Sequence, residues 1–62
     1  MTSYWLIELK LDRLNALYLN GDKFTSDKDR ATRFLTKSQA VRRMDRLSNV
    51  RGDLKVVEYG YN

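Results

Sequence analysis

The stretch FTSDKDRATRFLTKSQAV, Phe24 to Val41, is where one kind of backbone pattern gives way to another. Up to Thr25 the chain alternates apolar and polar residues; after it the alternation stops. Ser26 or Asp27 stands where a helix cap belongs, Asp27 and Asp29 add acidic charge near the start, and Ala31 and Phe34 lie three apart, so one or two helical turns are expected here. Thr36 followed by Gln39 forms a capping box, and Leu35 and Ala40 occupy the two positions of a hydrophobic staple. A helix is therefore predicted from about Lys37 to about Ser48. At about 100° per residue, Ala40, Val41, Met44 and Leu47 fall on one arc, the one expected to pack on a sheet. Gln39, Arg42, Arg43 and Arg46 share a flank, with Asp45 and Asn49 toward the far side.

Upstream, YWLIELKL (Tyr4 to Leu11) puts Trp5, Ile7, Leu9 and Leu11 on one face and Glu8 and Lys10 on the other, the period of a half-buried strand. DRLN at Asp12 to Asn15 has turn chemistry. A second strand, ALYL, ends in Asn20-Gly21, a pair that tolerates positive φ at both positions of a two-residue hairpin turn. A third strand should then begin near Asp22 and run through Phe24 and Thr25. Downstream, NVRGD reads as a loop in which Gly52 supplies the permissive backbone. In the last strand, LKVVEYGY, Leu54, Val56 and Glu58 share one face and Val57, Tyr59 and Tyr61 the other, so it is either central in the sheet or at an interface.

The expected fold is α+β, a single domain over 1–62: a small antiparallel sheet of three to four strands with one main helix on one face, in the order βββαβ, and a short helical turn before the main helix. The last strand is expected to pair with the first, its direction left open. One helix leaves the opposite face uncovered, and Tyr4, Leu6, Tyr18 and the C-terminal tyrosines are candidates to line it.

Composition bounds what such a domain can do. At 62 residues it buries only about 60% of the surface that its unfolded chain exposes, which makes self-association a natural remedy for marginal stability. With 42% hydrophobic and 32% charged residues and no proline, the chain has the makings of a packed core and not of a disordered tail. The absence of cysteine removes disulfides and thiolate chemistry and fits a reducing compartment. The apolar run YWLI is interrupted too soon for a membrane span or a signal sequence, so a soluble protein of the cytoplasm, with no membrane partner, is expected. Charge is uneven: residues 1–29 carry four basic and five acidic side chains, a net −1, and residues 30–62 carry eight basic and three acidic, a net +5.

Catalysis requires a group that titrates near neutrality, an activated nucleophile or a metal site. There is no histidine and no cysteine. Glu8 and Glu58 read as surface charges beside lysines such as Lys10 or Lys55. SDKD at Ser26 to Asp29 lacks the glycine and the closing glutamate of a calcium loop and reads as capping. RGD at Arg51 to Asp53 reads as a turn, and Gly21, Gly52 and Gly60 stand too far apart for a phosphate loop. No catalytic residues, cofactor or metal ligands are expected, and binding is the default.

Arg42, Arg43 and Arg46, crowded on one helical flank, are the first candidate contact residues, with Tyr59 and Tyr61 beside them because aromatics so near the C-terminus are hard to bury. Tyr4, Leu6 and Tyr18 are candidates for self-association in a homodimer. The basic half and the aromatics also suit nucleic acid, but aromatics on the sheet and arginines on the helix do not share a surface. A solvated helix flank with pairs such as Arg42–Asp45 stands beside both readings. Trp5 reads as core, or as an interface anchor.

With the strand YWLIELKL before it and VVEYGY after it, FTSDKDRATRFLTKSQAVRR resembles small proteins of unknown function that recur in bacteriophages and prophages. The shared pattern is aromatic-Thr-x-Asp at Phe24 to Asp27, Ala-x-x-Phe at Ala31 to Phe34, a helix bearing Ala40, and Val-Glu-aromatic at Val57 to Tyr59. The resemblance covers Tyr4 to Tyr61. It implies an accessory protein that binds and blocks a host machine by occlusion, as anti-CRISPR and anti-restriction inhibitors of host defence do. The expected partner is accordingly a host defence protein, with a small basic nucleic-acid-binding regulator as the alternative.

Overall fold

The structure is a computed structural model; it describes residues 2–47 and 52–61, with Thr2 and Tyr61 described in their backbone alone. Strands β1 (Thr2–Lys10), β2 (Ala16–Asn20) and β3 (Lys23–Thr25) are followed by a 3-10 turn at Lys28–Arg30, helix α1 (Lys37–Asp45) and strand β4 (Asp53–Tyr61). The sheet has the order β3-β2-β1-β4 and is antiparallel throughout. The α+β fold with one helix and four strands is therefore as expected, and the direction of the last strand is settled. β4 runs antiparallel to β1 in an unbroken register from Thr2↔Tyr61 to Lys10↔Asp53.

Two turns set up the hairpins. The Asp12 carboxylate accepts from the backbone N–H of Leu14 (2.8 Å) and Asn15 (2.9 Å), and the Asn15 side-chain amide donates back to it at 3.0 Å. These bonds favour the ionised carboxylate and hold the Asp12 pKa below its usual value, the Asn15 side chain contributing most. At the second turn Asn20 pairs with Lys23, so the two loop residues are Gly21 and Asp22. That is one position later than the sequence suggested, and the demand for positive φ falls on Gly21 (φ +64°).

The core lies between the sheet and α1. Ile7, Leu19 and Ala40 are fully buried at its centre, with Trp5, Phe24, Phe34, Met44, Leu47, Leu54 and Val56 packed around them. α1 lies over β1 and β4. Its cap forms as predicted on one side: the Thr36 hydroxyl accepts from the Gln39 N–H at 3.2 Å. The reciprocal bond goes one residue further back, from the Leu35 N–H to the Gln39 side-chain oxygen at 3.2 Å. Leu35 is 77% exposed, so the staple with Ala40 is not made. The helix ends at Asp45, earlier than expected, where the N–H groups of Arg46 and Leu47 bond to the carbonyls three residues back and tighten the last turn. Two other core assignments are corrected. Leu11 lies beyond the end of β1 and is 50% exposed, and Val41 is half-buried on the helix flank outside the core cluster. Ser48 to Arg51, including the start of the RGD tripeptide, lie outside the described residues.

The connection from β3 to α1 passes from one face of the sheet to the other. Asp27 caps the 3-10 turn, accepting from the Asp29 N–H at 2.9 Å. The chain then extends: Thr32 donates to the Leu19 carbonyl at 2.9 Å, and Phe34 exchanges two backbone bonds with Trp5 at 2.8 and 2.9 Å. β2 stops at Asn20, and this segment takes over its place beside the N-terminal half of β1. Phe34 thereby points into the core with Trp5 while Arg33 emerges on the opposite face, over Tyr4.

Gly52 is the tightest backbone position. Its φ is +117°, and a Cβ there would sit 2.8 Å from the Lys10 carbonyl oxygen and 2.9 Å from a Leu9 methyl. At Gly21, φ +64°, a Cβ would meet nothing within 4 Å. Urea unfolding should rank the two alanine variants accordingly: G21A should lose about 1 kcal/mol, the cost of a left-handed residue alone, and G52A about 3 kcal/mol, the upper end for a strained conformation.

Candidate binding surfaces

The helix flank carries the first surface. Gln39, Arg42, Arg43 and Arg46 line a shallow groove of about 330 Å³ together with the Phe34 ring. The apolar wall and the guanidinium rim come from different stretches of chain: Phe34 is placed by its backbone pairing to Trp5, and the arginines by helical spacing. All three arginines predicted for the flank are thus brought together.

They are not equivalent. The Arg43 guanidinium donates to the Gly21 carbonyl at 3.0 Å, tying α1 to the β2–β3 turn, and Arg43 is half-buried. Arg42 and Arg46 are exposed, and among the described residues neither has a carboxylate within 4.0 Å. The pair between Arg42 and Asp45 is not formed.

The second surface is the other face of the sheet. Tyr4 and Tyr59 oppose each other on β1 and β4 and stack, ring centroids 6.1 Å apart and planes 24° from parallel. This face is not bare. The Lys28 ammonium sits over the Tyr59 ring at 4.3 Å, and the Arg33 guanidinium over Tyr4 at 4.7 Å, both carried by the crossing segment. Leu6, expected at a self-association surface, is fully buried on this side of the sheet and reaches no partner. Tyr4, Tyr18 and Tyr59 are half-buried. The Tyr61 backbone pairs with Thr2, and its side chain lies outside the described ones.

Within the tyrosine face Glu8 is nearly covered, its side chain 12% exposed, and pairs with Lys55 at 3.6 Å. Burial of the Tyr59 hydroxyl disfavours its ionised form, and the hydrogen bond to Tyr18 and the nearby Glu8 charge add to the effect, pushing its pKa up to about 12. Glu58 lies opposite Trp5 and so on the helix side, which leaves the two glutamates on opposite faces of the sheet. They form no carboxylate pair.

Sequence reasoning missed Lys28 and Arg33 as partners of the aromatics. The signal was faint: two cations in a segment that reads locally as capping and turn, whose ring contacts are both distant in sequence, on β4 for Lys28 and on β1 for Arg33. Among the described residues no helix is long and apolar enough to cross a membrane.

Both surfaces yield measurable consequences. R43A should lose about 1 kcal/mol in thermal or urea unfolding through its bond to Gly21, whereas R42A and R46A should stay within about 0.5 kcal/mol of the parent chain. In a spectrophotometric titration one tyrosine should ionise near pH 12, and Y59F should remove that step. Because the folded-state pKa is the raised one, the stability linked to Tyr59 is fully present below pH 10.0 and is lost as pH climbs toward 12. Comparison with protein-family models, with curated proteins and with solved structures finds no match for this chain.

Proposed function

We propose that this is a non-enzymatic interaction protein that works by occlusion, docking the groove of Arg42, Arg43 and Arg46 on an acidic surface of a host protein. The observation that carries the reading is the state of the arginines. Arg42 and Arg46 project beside an apolar ring with no carboxylate within 4.0 Å among the described residues, while Arg43 fixes the helix that bears them. Unpaired guanidinium groups around an apolar centre are what an acidic, partly apolar protein surface complements, and Arg is the cation suited to bidentate carboxylate contacts. The lack of histidine and cysteine and the separation of Glu8 from Glu58 support a binding role over a catalytic one. The phage-like pattern of the sequence supports the narrower reading, an inhibitor that engages a defence component in the bacterial cytoplasm.

A second reading, binding of nucleic acid, gains one observation. Lys28 and Arg33 lie on the same face as Tyr4 and Tyr59, so cations and aromatic rings share a surface after all. A base that stacks there must displace the protein's own cations, which weakens this reading against the open arginine groove.

The test is affinity capture by the tagged chain from bacterial lysate, with and without nuclease treatment, read by mass spectrometry. A host protein that survives nuclease treatment and is lost from the R42E/R46E double variant is the expected result. Retention of nucleic acid alone, abolished by nuclease and steeply weakened by salt, would replace the inhibitor by the nucleic-acid reading.

A further inference from the structure

The two edges of the sheet are built differently. β3 has only three residues, Lys23–Thr25, the kind of short strand that blunts an edge. β4 forms the other edge with nine residues, no proline, and an unbroken register against β1, a strip about 30 Å long. It is also apolar on both faces: Leu54 and Val56 toward the helix, Val57 and Tyr59 toward the tyrosines, all half-buried. Both faces are met within the chain, by α1 on one side and by Lys28 of the crossing segment on the other; along its outer edge, among the described residues, β4 has no neighbour.

The direction of its backbone groups follows from one pairing. Trp5 exchanges both of its backbone bonds with Phe34 on the β2 side of β1. Groups alternate along a strand, so Tyr4, Leu6, Glu8 and Lys10 bond toward β4 and take Tyr59, Val57, Lys55 and Asp53 as partners. The N–H and C=O of Leu54, Val56, Glu58 and Gly60 therefore point out of the sheet. Among the described residues no other segment bonds to them.

The geometry points to a second copy of this chain as the occupant, its β4 pairing antiparallel with the first across a two-fold axis perpendicular to the sheet. Such an axis keeps each face on its own side and pairs outward groups with outward groups, which limits the register to alignments centred on a single residue. Centring on Lys55 or on Glu58 would set two like charges directly opposite. Centring on Val56 or Val57 avoids both and places valine against valine at the axis, with the acidic and basic residues of β4 facing uncharged partners. Strand pairing gives an eight-stranded sheet, β3-β2-β1-β4 continued by its copy in reverse. It also brings the two helices side by side on one face, since α1 lies over β1 and β4. On α1, Val41 occupies the flank opposite Arg43, and Arg43 is tied to the β2–β3 turn, so Val41 is turned toward the β4 edge. The residue that the core leaves out is thus placed where the neighbouring helix would meet it. A strand from an unrelated protein would satisfy the same backbone groups but gives no reason for the charge spacing or for Val41.

The experiment combines sedimentation equilibrium with amide hydrogen exchange on the whole chain at about 0.1 mM, where a Kd of about 1 μM leaves the dimer dominant. The expected mass is twice the 7.3 kDa of one chain. The outward amides of Leu54, Val56 and Glu58 should be slowed at least about a hundredfold, alongside the inward amides of Lys55 and Val57. A chemically synthesised chain with N-methylvaline at position 56 removes one outward N–H without touching the β1 pairing, and should sediment as a single chain with its circular dichroism unchanged. The proposal is overturned if the unmodified chain sediments at 7.3 kDa, if a dimer forms while the outward amides exchange freely, or if the N-methylated chain remains dimeric.

Discussion

The fold depends on the backbone pairing of Trp5 with Phe34. β2 stops at Asn20, which would leave half of the central strand without a neighbour on that side. The chain returns from the 3-10 turn to occupy the vacancy, and in doing so crosses from the tyrosine face to the helix face. One short extended segment therefore satisfies an open edge, inserts Phe34 into the core, lays Arg33 on Tyr4 and delivers Thr36 to the position where α1 starts. A continuous β2 would close that passage, and the helix and the cations of the crossing segment would have to share one face.

Much of this was legible in the residues. The alternation of Trp5, Ile7 and Leu9, the Asn20-Gly21 turn and the Thr36–Gln39 cap are local signals, and each lies within a residue of its predicted place. Local patterns also explain the errors. Leu35 sits at a staple position, but the Gln39 side chain bonds to its N–H and its own side chain is left in solvent. Val41 shares the apolar arc of the helix in angle, yet it lies on the flank away from Arg43, only half-buried and outside the core cluster. Leu11 continues the alternation past the end of β1 at Lys10, just before Asp12 turns the chain.

The candidate surfaces were legible in part, for the same reason. Helical spacing alone assembles Arg42, Arg43 and Arg46, and the structure adds Phe34 to their groove. The bond from Arg43 to Gly21 and the cations over Tyr4 and Tyr59 join residues distant in sequence. No periodicity encodes such contacts. The consequence is a division of labour within one charge cluster: one arginine ties the helix to the β2–β3 turn, and two are exposed with no carboxylate within 4.0 Å among the described residues.

The central strand has a kinetic consequence. β1 meets β2 across a short turn, but its other partner, β4, lies more than 40 residues on, from Lys10↔Asp53 to Thr2↔Tyr61. Closing so long a loop precedes any gain from the pairing, and non-local strands of this kind slow folding. A chain that has closed only the short β1–β2 turn leaves Leu6 and Ile7, both fully covered in the finished fold, open to solvent. Until β4 zips onto it, the strand that becomes the most protected part of the molecule is the part most open to misassembly with other chains.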